Sequence, residues 1–126
     1  EENAHAEGLD TTASGNSSHA EGNGSIASND SSHAEGHGTL AEGVWSHSEG
    51  YSTEAKSDAA HAEGYETQVT GDYGHAEGYT TKASGKSSHA EGDYSEAKGR
   101  GSHAEGTNTA SDGNTYLVAR TVTVGN

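Results

Sequence analysis

Small side chains alternate with larger polar ones in short runs along this chain, and the runs return at a fixed interval. Residues 18–22 read Ser-His-Ala-Glu-Gly, and residues 25–27 read Ser-Ile-Ala. An alternation with a period of two is typical of a β-strand, whose successive side chains point to opposite faces. Each unit therefore predicts two short strands, with glycines marking the bends where a positive φ or a close backbone approach is needed.

The volume of the side chains predicts which face points inward. The small set consists of Ser18, Ala20 and Gly22 in the first strand and Ser25 and Ala27 in the second. A narrow coil has no room for rings of histidine and glutamate, so the small set is expected to line the interior. Such a core is thin, and dispersion and backbone hydrogen-bond ladders must supply much of its stability.

The tetrad His-Ala-Glu-Gly recurs every fourteen residues with no insertion, and Ser48 is the one substitution for its alanine. A period of 20 to 50 residues would indicate helical repeats or propeller blades. Fourteen residues instead fit one turn of a β-solenoid, with two strands and two bends. The sequence predicts an all-β, parallel β-solenoid of eight to nine turns, about 40 Å long at the spacing of stacked strands.

The two outward faces differ in how much they vary. The second strand varies freely in its outward residues, which are Thr12, Ile26, Leu40, Glu54, Gln68, Lys82, Glu96 and Ala110. The first strand keeps histidine and glutamate in all eight copies. A surface that meets only water has no reason to repeat so strictly, so we expect a second copy of the chain to contact it at every turn. The predicted subunit-interface residues are His5, Glu7, His19, Glu21, His33, Glu35, His47, Glu49, His61, Glu63, His75, Glu77, His89, Glu91, His103 and Glu105.

The glutamates would form a column of like charges about 4.8 Å apart. We expect each to pair with a histidine of a neighbouring subunit, which satisfies both columns. If that pairing raises the histidine pKa, the assembly loses stability as the pH rises through the raised value. Two alternatives stay open for these columns: binding of zinc or a similar ion, and a purely exposed ladder. The favoured prediction includes no metal and no cofactor.

The pattern Ser-x-Ala-x-Gly-x-x-Thr/Ser-x-Ala-x-Gly resembles the head repeat of YadA-type trimeric autotransporter adhesins, over residues 1 to about 116. The resemblance implies a left-handed parallel β-roll in a homotrimer, intertwined or side by side, located outside the cell on a cell surface or virion. In that family the two outward residues of the first strand are typically Val and Ile, and here they are His and Glu. The motif Ser-His-Ala-Glu-Gly is also similar to repeats in phage tail-fibre and surface-fibre proteins.

The repeat pattern ends before the C-terminus. Leu117 stands where the next histidine would fall, and residues 117–126 alternate β-branched and polar residues. The sequence therefore predicts a repeat domain over residues 1–116, followed by a terminal strand over residues 117–126 that is a cap or the entry to a further domain.

Aromatic residues fall at the bends. Tyr51, Tyr65 and Tyr79 share one position in three consecutive turns and should stack, whereas Trp45 and Tyr73 lie at the opposite bend. These five residues are candidate contacts for a host-surface glycan or protein receptor, or they shield the edge of the coil. The off-phase histidine, His37, is expected to be solvated.

Composition narrows the function classes. Large aliphatic residues are few, Phe and Met are absent, and the formal net charge of −14 disfavours nucleic acid as a partner. We predict no membrane segment, and eight equivalent copies argue against an enzyme, which uses one specially tuned acid or base. The favoured function is the rod or head of a trimeric extracellular fibre, an adhesin or tail fibre. The alternatives are a filament subunit joined end to end through its terminal strands, and a monomeric ligand-, metal- or ice-binding solenoid.

Overall fold

The computed structural model describes residues 2–112, which coil into stacked turns that each contain one long and one short strand. The long strands are His5–Leu9 (β1), His19–Asn23 (β3), His33–His37 (β5), His47–Tyr51 (β7), His61–Tyr65 (β9), His75–Tyr79 (β11), His89–Asp93 (β13) and His103–Thr107 (β15). The short strands are Thr12–Ala13 (β2), Ile26–Ala27 (β4), Leu40–Ala41 (β6), Glu54–Ala55 (β8), Gln68–Val69 (β10), Lys82–Ala83 (β12), Glu96–Ala97 (β14) and Ala110–Ser111 (β16).

The strands form two parallel sheets of eight strands each, one from the long strands and one from the short strands. Each residue pairs with the residue fourteen positions later, as His5 does with His19 and Thr12 with Ile26. The predicted all-β parallel solenoid with fourteen-residue turns is confirmed. The predicted terminal strand over residues 117–126 lies outside the described residues.

The core is a stack of small side chains between the two sheets. Ser18, Ala20, Ser25 and Ala27 are at most 1% exposed, which confirms their inward orientation. Apart from Gly74 and Val69, the same positions in later turns hold alanine, serine or threonine, and Val69 is the largest fully buried side chain. Because buried hydroxyl groups need partners, some of them bond across the core, as Ser48 Oγ does with Thr53 Oγ1 at 2.7 Å.

Gly22 is exposed, so the prediction that it belongs to the inward set is wrong. Its φ is +107°, and a Cβ built on it would lie 2.1 Å from the carbonyl oxygen of Gly36 in the next turn. The position is glycine because the neighbouring turn approaches its backbone closely and because L-residues rarely adopt this φ.

The bends themselves mostly hold residues other than glycine, which corrects the prediction that glycines mark them. A left-handed residue recurs every seven positions, and thirteen of these are not glycine, including Ser17, Trp45 and Ser52. From Ser17 onward, each is held by a backbone hydrogen bond to the preceding turn, as Trp45 N–H donates to the carbonyl of Asp30 at 2.9 Å. This repeated hydrogen bond offsets the cost of the left-handed conformation.

Candidate functional site

The candidate site is the stripe of histidine and glutamate on the outer face of the long strands, which we call the His–Glu ladder. Histidine and glutamate lie two residues apart on each strand, so both point outward while the residue between them points into the core. From His19 to His89 the imidazole rings stack face to face, with centroids 4.7 to 4.8 Å apart. The register of the sheet thereby forms a continuous column of rings.

Each ladder histidine faces the glutamate of its own strand. The distance from Nε2 to the carboxylate is 3.1 Å between His5 and Glu7 and 3.7 Å between His89 and Glu91. Each carboxylate therefore already has a histidine beside it within its own chain, and its pairing with a histidine of a neighbouring subunit stays a prediction. That the ladder forms a subunit interface stays a prediction.

Six of these histidines, from His19 to His89, have an Nε2 atom that is shielded from solvent and has no hydrogen-bond partner. Their carboxylate contacts of 3.3 to 3.7 Å are too long or too poorly aligned for a hydrogen bond. The side chains as a whole are still about a third exposed. The stacked rings thus shield their own nitrogen atoms.

Two histidines of the ladder, His61 and His89, have a lowered pKa. Burial lowers the pKa of His61, and the neighbouring rings of His75 and His47 lower it further, while nearby carboxylates only partly offset this. The pKa of His89 is lowered for the same reasons, first by burial and then by His75 and His103. This direction is opposite to the rise expected for cross-subunit pairs, because here each ring is packed against other rings.

The carboxylates of the ladder also approach one another. Burial raises the pKa of Glu49, but hydrogen-bonding contacts with Glu63 and Glu35 and the charges of His47 and His61 lower it more, so that the net pKa lies below its usual value. The glutamate column and the adjacent column of glycines together border an open groove of about 700 Å³. Glutamate carboxylates border the groove on one side, and the backbone of the glycines borders it on the other.

The ladder brings together groups that can bind a metal ion. In five consecutive turns, each histidine lies near its own glutamate and that of the preceding turn, with the three ligand atoms within 4.8 Å of one another. The five triads are centred on His47, His61, His75, His89 and His103. Sequence analysis favoured no metal here because spacing alone does not show how the side chains of successive turns converge.

The predicted tyrosine stack is present at one bend. Tyr51, Tyr65 and Tyr79 stack with centroids 4.9 and 5.0 Å apart. Two residues that the sequence analysis missed extend the stack: His37 lies on Tyr51 at 4.9 Å, and Tyr94 lies edge to face against Tyr79 at 5.5 Å. His37 holds the same strand position as Tyr51, which could have identified it, whereas Tyr94 comes one position later. The solvated histidine that we predicted at His37 is exposed but is also a stacking residue.

Trp45 and Tyr73 lie at the other bend, as predicted, and are not part of this stack. They are 67% and 58% exposed and are separated by two turns, with Ala59 at the equivalent position between them. Lys86 places its Nζ 5.4 Å from the centre of the Tyr73 ring. Both side chains are more exposed than the stacked tyrosines, and Lys86 lies over one face of the Tyr73 ring.

The outward face of the short strands carries local polar pairs. Lys56 contacts Glu54, Gln68 donates a hydrogen bond to the Glu54 carboxylate at 2.6 Å, and Lys98 lies 3.1 Å from Glu96. These pairs differ from turn to turn, which is typical of a solvated face, where exposed ion pairs contribute little.

The fold and the ladder define the chain as a parallel β-solenoid of fourteen-residue turns with a polar stripe along one sheet. No protein-family model matches the chain, and a search of curated proteins found no relative. Among residues 2–112 no helix is long and apolar enough to cross a membrane.

Proposed function

We propose that this chain is a rod-forming segment of an extracellular homotrimeric fibre, of the adhesin or tail-fibre type, in which the His–Glu ladder is the seam between subunits. The observation that carries the proposal is the contrast between the two outward faces. The ladder is the same in every turn, whereas the short-strand face changes at every turn. A contact that repeats along a two-fold or three-fold bundle of rods requires the same residues at every level.

The pairing within each chain is compatible with this seam. From His33 to Glu105, each ladder histidine and glutamate is still about a third exposed, so a neighbouring chain can cover it. The imidazole Nδ1 atoms and the second carboxylate oxygens remain potential hydrogen-bonding groups for that neighbour. A polar seam of this kind would replace the apolar seam of the adhesin heads that the repeat resembles.

The trimeric state and the left-handed coil follow from that resemblance and belong to the proposal. A single solenoid of this width has a core of alanine, serine and threonine, which buries little apolar surface per turn. Three such rods side by side would bury one face of each and make a stiffer fibre than any of them alone.

Receptor binding is a second candidate function. Among the exposed aromatic residues, Trp45 and Tyr73 are the best candidates for the receptor contact. The tyrosines of the stack cover one another's faces and expose mainly ring edges. Sugars and protein loops pack best on exposed aromatic rings, and Trp45 and Tyr73 are more exposed than the stacked tyrosines. The tyrosine stack itself fits the role of shielding the coil edge.

The seam is tested by charge reversal with a matched control. Glu77→Lys changes the charge on the ladder, whereas Glu42→Lys makes the same change at an exposed position away from it. In size-exclusion chromatography with light scattering, we expect Glu77→Lys to dissociate the assembly and Glu42→Lys to leave it intact. Equal masses for the parent chain and both variants would contradict the seam. A mass that grows without limit as the concentration rises would indicate the end-to-end filament instead.

A further inference from the structure

The distances within the ladder fit metal coordination better than they fit hydrogen bonding. In the inner turns, Nε2 and the glutamate Oε2 of the same strand lie 3.3 to 3.7 Å apart. A tetrahedral zinc ion with bonds of about 2.1 Å holds its ligand atoms about 3.4 Å from one another. The existing spacing therefore places these two atoms near the edge length of a zinc-centred tetrahedron.

The third ligand comes from the preceding turn. Glu91 places its Oε2 3.7 Å from Nε2 of His89 and its Oε1 3.9 Å from Nε2 of His103. Glu91 can thus give one oxygen to each of two successive sites without sharing an atom, and the other triads bring their three ligand atoms within 4.8 Å of one another. The ladder has the form of a chain of Glu–His–Glu triads linked by bridging carboxylates.

In most of the triads, the imidazole Nε2 atom has no hydrogen-bond partner within the chain and is available to bind a cation. Nε2 is shielded and without a hydrogen-bond partner in four of the five triads, those of His47, His61, His75 and His89. A shielded, unpaired polar atom is costly, and a bound cation would accept its lone pair.

We propose that the His–Glu ladder is an array of sites for a divalent transition-metal ion of the zinc class, one at each Glu–His–Glu triad from His47 to His103. Imidazole nitrogen with carboxylate oxygen is a donor set that zinc accepts, and three protein ligands leave a fourth position for water. The sites lie within one chain, so the proposal does not depend on the trimer.

The geometry also sets the order of filling. Ions in successive turns would lie about one strand spacing apart, about 4.8 Å, and would repel each other. The first ions therefore occupy alternate turns, those of His47, His75 and His103. The two intervening sites fill only at higher metal concentration. The expected stoichiometry is three tightly bound ions and at most five.

The experiment uses the full chain without a polyhistidine tag, freed of metal with a chelator and titrated with zinc chloride. Calorimetry and native mass spectrometry give the affinity and the number of bound ions, and cobalt absorption reports the coordination geometry. We expect binding in two phases, with three ions in the first, and a cobalt spectrum of a tetrahedral site. An absence of binding would overturn the proposal.

Variants separate the ladder from adventitious surface binding. His75→Asn removes the central ligand of one triad, and Glu77→Gln removes a ligand shared by two. We expect at least about tenfold weaker binding at the affected sites. The controls are His37→Asn, a histidine outside the ladder, and Glu42→Gln. Equal losses in the controls would overturn the proposal, and circular dichroism of each variant verifies that the fold is retained.

The metal proposal and the fibre proposal can fail separately. Sedimentation with and without zinc gives the number of chains, whereas the titration gives the number of ions per chain. Bound zinc on a single chain would leave the metal sites standing and contradict the fibre. A trimer that binds no zinc would leave the fibre proposal standing and contradict the metal sites.

Discussion

Val69 occupies the space that a side chain at Gly74 would need. A Cβ built on Gly74 would lie 2.7 Å from Cγ1 of Val69. In the equivalent positions of other turns, alanine or, at Ser111, serine stands in place of Val69, and serine or alanine stands in place of Gly74. At this position of the turn, the core therefore holds a valine where the facing position has no side chain.

This pair predicts a strong coupling between two substitutions. Gly74→Ser alone should destabilise the chain by about 1 to 3 kcal/mol through overpacking. Val69→Ala alone should cost about 1 to 2 kcal/mol for the lost methyl groups. The double variant restores the pattern of the other turns, in which the serine hydroxyl donates to a carbonyl three residues earlier, as Ser18 does to Gly15 at 2.7 Å.

Urea unfolding of the parent, the two single variants and the double variant measures this coupling. The double variant should be clearly more stable than the two single effects predict when added. Strict additivity would mean that the two positions do not share space.

The close approach of successive turns predicts that two glycines respond very differently to the same substitution. A Cβ at Gly64, where φ is +111°, would lie 2.2 Å from the carbonyl oxygen of Gly78. Gly101 also has a positive φ, +66°, but has open space around it. Gly64→Ala should therefore cost about 3 kcal/mol or more. Gly101→Ala should cost about 1 to 2 kcal/mol, for the left-handed conformation alone. Thermal unfolding compares the two, and similar losses would show that the turns can move apart.

The lowered pKa values of His61 and His89 predict the direction in which stability changes with pH. Because the folded chain binds protons less readily than the unfolded chain, this contribution is complete above the unfolded value of about 6.5. It is lost as the pH falls through the lowered folded values. Urea midpoints measured between pH 8 and 5 in the presence of a chelator should therefore decrease toward acid.

The individual pKa values of His61 and His89 can also be tested. In the stack, the ring of His75 lies between those of His61 and His89. The charge of His75 lowers the pKa of both. His75→Asn should raise both values while leaving them below the ordinary value, because burial remains. NMR titration of the imidazole protons measures both. Unchanged values in the variant would mean that the rings do not sense one another.

Two tyrosines of the stack should have a higher pKa than an isolated tyrosine. A contact with the Tyr94 hydroxyl raises the pKa of Tyr79, and the charge of Glu66 raises that of Tyr65. Tyr94→Phe keeps the ring but removes the hydroxyl, so it should lower the pKa of Tyr79. Glu66→Gln should lower that of Tyr65. Ultraviolet titration between pH 8 and 12 follows the phenolates, and curves that coincide with the parent would contradict the assigned contacts.

The repeat predicted the architecture because it fixes both the period and the volume of each position. Fourteen residues per turn set the parallel register, and only small side chains such as Ala20 and Ser25 fit between the sheets. The stacking of Tyr51, Tyr65 and Tyr79 followed from the same register. These features depend on where a residue falls in the period, which the sequence states directly.

The features that sequence reasoning missed depend on the reach and direction of side chains. Glutamate two residues beyond a histidine points to the same face, and its length lets it contact that ring, so the pairing of His61 with Glu63 formed within the chain. The exposed position of Gly22 and the left-handed bends at residues such as Trp45 follow from backbone contacts between turns. A period alone does not contain these contacts.

Sedimentation equilibrium of the whole chain at neutral pH tests the central claim of a trimeric fibre most directly. Each chain has a mass of 12.8 kDa, so the account predicts a species of three times that mass, 38.4 kDa, over a wide range of concentration. A species of 12.8 kDa throughout would contradict it, because the invariant His–Glu ladder would then face water and not a second copy of the chain.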